Sequence, residues 1–169
     1  MKKALLLVIM ILALISNLYS ETFYIYVEET YNGEEPSICS PAKESLLDGL
    51  FELGHIAFDD IEGEGDINWN NEAFDSIINK GLYGGARILF LVNISSHSEI
   101  NDDDMLSIVS TAEYYCIDLR IAKIIDFGSI NMDNFYKEEQ INQEELGFLL
   151  GSELSYIVDT VYKEYIVQL

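Results

Sequence analysis

Arg87-Ile88-Leu89-Phe90-Leu91-Val92-Asn93-Ile94 is the stretch on which the fold turns. The unbroken apolar run from Ile88 to Val92 leaves neither face of a strand polar. A strand that is apolar on both faces has to be covered on both, so this stretch predicts a central strand with helices above and below it.

Working outward, a strand and two helices precede it. Thr22 to Glu28 is aromatic and β-branched, the composition of a first strand. A polar turn with Gly33 and Pro36 follows, and Ser40-Pro41 predicts the start of a helix, serine as N-cap and proline at the first helical position. Leu46, Leu47, Leu50, Phe51 and Leu53 recur at helical spacing, and Gly54 is placed to end the helix. His55 to Asp59 predicts a short second strand. Asn70 or Asn71 then caps a second helix bearing Phe74, Ile77 and Ile78, which ends at Lys80-Gly81.

Downstream, Ser95 to Asp104 reads as a polar connection. Residues 106–127 follow as one long antiparallel strand, bulged before Tyr114, that pairs back on residues 87–94. Alternation puts Tyr115, Ile117, Leu119 and Ile121 on one face, and Tyr114, Cys116, Asp118 and Arg120 on the other. Asn142 caps the last helix, whose core stripe is Leu146, Leu150, Leu154, Ile157, Val161 and Tyr165. Beside it Gly147, Gly151 and Ser155 form a small-residue ridge that lets the helix lie close on the sheet; a homodimer contact is the alternative. The order β-α-β-α-β-β-α gives an α/β (α+β) fold, one domain built on a mixed sheet with helices packed on it.

The amino terminus predicts export. Met1-Lys2-Lys3 is basic, Ala4 to Ile15 is apolar, and a small residue, Ser20, precedes Glu21, which is the pattern of a cleaved signal peptide over residues 1–20. No cysteine lies near residue 20 to carry a lipid. The apolar run is shorter than the roughly 20 residues a membrane span needs, so no span is expected once the leader is removed. Residues 21–169 are then a single acidic domain in the periplasm or outside the cell. Losing Lys2 and Lys3 takes the net charge from −21 to −23. A field of that sign repels nucleic acids and anionic lipid headgroups. Cys39 and Cys116 could pair in such a compartment, but their separation leaves the matter to geometry.

The phrases Gly54-His55-Ile56-Ala57-Phe58-Asp59, Gly84 to Ile94, and Leu119 to Gly128, in this order of elements, resemble the small periplasmic α/β domains of bacterial envelope assembly proteins. These include the lipoprotein activators of penicillin-binding proteins, the periplasmic part of the curli secretion channel and the amino-terminal domain of the Tol translocation protein. The chain departs from them in lacking a lipid-attachment cysteine, and Asp126-Phe127-Gly128 only loosely echoes their turn after the hairpin. The resemblance implies protein–protein contacts in the envelope, no catalysis and no catalytic residues to carry over.

Candidate sites follow from residue types. Tyr114, Asp118 and Arg120 share a face and suit a contact with another envelope protein, because aromatic rings and arginine are enriched at interfaces; a covering helix is the alternative. Asp60, Glu62, Glu64, Asp66 and Asn68 fall in the register of a calcium loop, with Gly65 at the sixth position. Asn71 stands where the bidentate glutamate belongs and Glu72 arrives one residue late, so a calcium-responsive secreted protein is the alternative reading. Otherwise no cofactor is expected. Asp102-Asp103-Asp104 reads as a solvated tip. Neither His55 nor His97 lies in a hydrolase or zinc motif, and Gly81 to Ala86 precedes a strand instead of opening a helix, unlike a phosphate loop. An unrecognised enzyme ranks third.

Overall fold

The computed structural model describes residues 21–31, 38–59, 71–100, 106–132 and 142–168. Their elements are β1 (Thr22–Tyr31), α1 (Cys39–Glu52), β2 (Ile56–Asp59), α2 (Asn71–Tyr83), β3 (Ile88–Ile100), β4 (Leu106–Asp118), β5 (Lys123–Asn131) and α3 (Gln143–Val167). The expected β-α-β-α-β-β order runs through β4; a further strand closes the meander before the last helix.

The strands form one mixed sheet in the order β2-β1-β3-β4-β5. β1 runs parallel to both β2 and β3, while β3–β4 and β4–β5 are antiparallel. The stretch after Arg87 is therefore central, as its two apolar faces require. Ile88, Phe90, Val92 and Ile94 join Phe23, Ile25 and Val27 on one side, beneath Ala42, Leu46 and Leu50 of α1 and Leu146, Leu150, Leu154, Val158 and Tyr162 of α3. Leu89 and Leu91 join Tyr24, Tyr26, Ile117 and Leu119 on the other, beneath Ile77 of α2 and its half-buried Phe74 and Ile78. The result is two helices, a sheet and one helix.

Four local readings change. The ladder between β3 and β4 runs on to Ile100 opposite Leu106, so residues 95–100 are strand and not connection. The run expected to continue to residue 127 breaks after Asp118. Leu119–Ala122 is a turn, in which the Asp118 carboxylate accepts from the Arg120 amide (2.9 Å) and Ala122 takes a left-handed φ of 50°. The register shift in the β4–β5 ladder falls at Cys116/Ile117, after Tyr114 and not before it. Finally, α1 begins at Cys39, and Ser40 does not cap it. The Glu29 carboxylate of β1 accepts from the Ile38 and Cys39 amides (3.0 and 3.1 Å), bringing a negative charge to the helix's positive end. Within α1, Phe51 points outward and is 76% exposed. In α3, Asn142 caps as expected, accepting from Glu145 N (2.8 Å). Beyond Leu154, its buried apolar residues are Val158 and Tyr162, whereas Ile157, Val161 and Tyr165 lie at the margin.

The small-residue ridge packs on a helix and not on the sheet. A methyl on Gly147 would sit 2.7 Å from the Ile38 carbonyl oxygen, one on Gly151 would strike the Ala42 carbonyl, and Gly49 of α1 faces Ser155. Backbone meets backbone here, and neither side has a flexible group that could give way. Gly151→Ala is therefore expected to lower stability by about 2 kcal/mol in urea unfolding. An unchanged midpoint would mean that the helices can separate by a methyl's width without loss.

Candidate functional site

Two constellations stand out, one polar and sealed, the other apolar and open. The sealed one lies where the parallel strands begin. Glu21 precedes β1, His55 precedes β2 and Arg87 precedes β3, so the parallel register itself brings the three together. His55 is 3% exposed. Its Nε2 lies 2.9 Å from Asp159 Oδ1 of α3, and its Nδ1 accepts from Glu21 N at 3.3 Å, which fixes Nε2 as the protonated nitrogen. Phe23 and Tyr162 stand edge-on around the ring. Lys163 Nζ donates to the other Asp159 oxygen (2.8 Å). Both imidazole nitrogens are thus committed within the fold, and the ring is walled off from any substrate. The pair pins α3 to the first two strands.

Beside it, the Glu21 carboxylate accepts from Arg87 Nη1 (3.0 Å) and the Tyr162 hydroxyl (3.1 Å). Burial, followed by the Glu21 charge, pushes the Tyr162 phenol up to about 12, so it remains a donor throughout the physiological range. Asp118, 1% exposed, accepts from the Arg120 amide, from Tyr165 Oη (3.2 Å) and from Arg87 Nε (3.5 Å). Burial alone would raise its carboxyl. The Arg120 amide, the Tyr165 hydroxyl and the charges of Arg120 and Arg87 together outweigh burial and hold it below the ordinary carboxylate range.

The three residues expected at a partner contact thus sit in different settings. Asp118 is enclosed in this cluster, and the Arg120 side chain is 58% exposed on the turn. Tyr114 is half-buried on the face covered by α1 and α3. Its ring lies 5.7 Å from Phe90 and is pressed over Gly128, where a methyl would sit 2.8 Å from Tyr114 Cζ. Its phenol is raised, first by burial and then by the Asp126 carboxylate to which it donates (3.4 Å). Cys39 and Cys116 are not joined in a disulfide; Cys116 is buried, and burial pushes its thiol far up. Asp60, Glu62, Glu64, Asp66 and Asn68 lie outside the described residues, as do Asp102-Asp103-Asp104. Among the described residues no three His, Cys, Asp or Glu side chains converge as a metal site, and no helix is long and apolar enough to cross a membrane.

The open constellation is on the opposite face of the sheet. α2 lies over β1 and β3, reaches Ile117 at the end of β4 and Leu119 beyond it, and among the described residues leaves the rest of β4 and β5 open. Left uncovered is a groove of about 320 Å³ lined by Phe74, Leu91, Asn93, Glu113, Tyr115, Ile117 and Ile124. Tyr115 stacks on Phe127 of β5, with centroids 6.3 Å apart and planes at 18°. Phe127 is 70% and Ile124 51% exposed. Asn93 and Glu113 face each other across the β3–β4 ladder, and Asn93 Oδ1 is without a hydrogen-bond partner among the described residues. The alternation of β4 placed Tyr115 and Ile117 together. Ile117 is nonetheless buried and Tyr115 half-buried, a difference set by where α2 ends, which no local pattern in the sequence records.

No protein family matches the sequence, and no curated protein does. Solved structures do share the fold. The hypothetical protein CT253 from Chlamydia trachomatis is similar at 9% identity with a TM-score of 0.50, over 89% of this chain and 100% of that one. The lipoprotein GNA1162 from Neisseria meningitidis gives 16% identity and 0.49 over 82% and 99%. A PelC dodecamer from Paraburkholderia phytofirmans gives 10% and 0.49 over 81% and 87%. At such identities the likeness is one of fold, and function has to be argued from the site.

The sealed cluster predicts an acid-sensitive contribution to stability. Because the folded carboxyl of Asp118 titrates below its unfolded value, its contribution is complete above about pH 4 and is lost as pH falls through the lower, folded value. Asp118→Asn should cost about 2 kcal/mol at pH 7, and the gap to the parent should narrow as unfolding is measured at progressively more acidic pH. A gap that stays constant with pH would remove the charge from the explanation.

Proposed function

We propose that this protein is exported by its amino-terminal leader, with residues 1–20 removed, and works in the periplasm or outside the cell. There it acts without catalysis, by holding another envelope protein against the open strip of β4 and β5. The observation that carries this reading is the strip itself. Exposed Ile124 and Phe127 and half-buried Tyr115 form an apolar surface on the sheet, with the buried Ile117 as its floor, and exposed apolar surfaces of this kind mark contact sites. The chemistry around it fits binding better than turnover. Among the described residues the groove offers one carboxylate, one amide and the Tyr115 hydroxyl, with no serine, cysteine or histidine beside them, and the buried His55–Asp159 pair lies in the other cluster with both ring nitrogens engaged. Arg120, exposed on the β4–β5 turn, is positioned to add a charged contact at the margin, with Tyr114 and Asp118 supporting that turn and strand from within.

The test is capture in living cells. A photo-reactive phenylalanine analogue in place of Phe127 should cross-link one dominant envelope protein on illumination, and the same analogue in place of Phe51, exposed on α1, should not. Equal capture at the two positions, or none at Phe127, would dismiss the strip as the working surface.

A further inference from the structure

We infer that the strip is the seat of a single amphipathic helix carrying lysine or arginine, supplied by the partner; this rests on reading the strip as a contact surface. Three observations converge on that occupant. The first is width. Neighbouring strands lie about 4.8 Å apart, so a pair of them presents a band close to the roughly 10 Å diameter of a helix. On the opposite face two helices, α1 and α3, lie side by side and cover the sheet. On this face α2 covers β1, β3 and the Ile117 end of β4, and the band left open among the described residues runs over Tyr115 of β4 and Ile124 and Phe127 of β5.

The second is the surface chemistry. Tyr115, Phe127 and Ile124 offer rings and a branched chain suited to an apolar stripe at three- and four-residue spacing. The charged part of the lining is anionic. Glu113 brings an exposed carboxylate, and among the described residues no cationic side chain lines the groove. A lysine or arginine at the margin of the incoming helix pairs with that carboxylate.

The third is the field. The chain carries a formal net charge of −21, so a second copy would approach against repulsion, as would an anionic lipid surface, whereas a basic helix is drawn in. A strand added to the outer edge of β5 would lie beside the strip and not over it, leaving Phe127 bare.

The experiment uses the protein purified after export from cells expressing the full gene. Three synthetic peptides of about 18 residues, long enough to hold a helix, share one leucine face and carry lysine, glutamine or glutamate on the other. Calorimetric titration should show the lysine peptide binding at least about tenfold more tightly than the glutamine peptide, with the glutamate peptide weakest. Phe127→Ala with Ile124→Ser should weaken the lysine peptide by about tenfold or more, while circular dichroism and the unfolding midpoint stay unchanged, because both side chains are already largely in solvent. Glu113→Gln should flatten the salt dependence of that binding. Lysine-peptide binding that survives the double substitution would reduce the effect to bulk charge and overturn the inference, as would equal binding of the glutamine peptide or no binding at all. Self-association abolished by Phe127→Ala would assign the strip to a second copy and overturn it too. A partner cross-linked at Phe127 through an acidic or extended segment would sink the helix while leaving the protein-contact function in place.

Discussion

The closeness with which α1 and α3 approach each other governs how the sheet is covered. Gly147 and Gly151 set the α3 backbone against the carbonyls of Ile38 and Ala42, with Ser155 on Gly49 one step along. With no side chains holding them apart, the two helices share one face of a five-stranded sheet and bury its apolar residues from Phe23 to Ala112 and Cys116. No second helix joins α2 on the other face among the described residues. Full cover on one side and partial cover on the other is thus an architectural asymmetry, and the open strip over β4 and β5 is its consequence.

The polar end of the sheet shapes the outer surface in a less direct way. The chain has nine basic residues against thirty acidic ones. Arg87, Arg120 and Lys163 are drawn to Glu21, Asp118 and Asp159, and Lys43 pairs with Asp59. Cations that balance particular carboxylates within the fold are no longer free to balance the rest. The surface field is accordingly more one-sided than a uniform scatter of the same residues would make it. The enclosed arrangement needs this, since a buried carboxylate without its partners is costly.

Much of the frame was legible in the sequence because it is written in local periodicity. The doubly apolar run at Ile88–Val92 announced a central strand, and Asn142 announced its helix. The misreadings arose where local and distant signals part. Leu119 and Ile121 continue the alternation of β4 straight through the turn, and no glycine or proline marks it; the left-handed residue is Ala122, and the turn is held by the Asp118 side chain. Ser40-Pro41 looks like a helix start, yet the cap arrives from Glu29, on another element. For the site, alternation separated Tyr114 from Tyr115 correctly. Which of the two faces is covered depends on packing three helices against five strands, so alternation alone does not distinguish the setting of Tyr114, which is pressed over Gly128, from that of Tyr115, which stacks on the exposed Phe127.

The contact between Glu21 and Tyr162 has a bearing on how the domain is tethered. It places the first described residue against the last turns of α3, so Glu21 and the end of α3 lie at one pole of the described domain. β3 runs from Ile88 at that pole to Ile100 at the other, a length of about 40 Å. Whatever is joined to either terminus, whether a linker, an anchor or a neighbouring domain, hangs from the same side. The hairpin end projects away from it, and the whole unit can be set into a longer polypeptide like a bead on a loop.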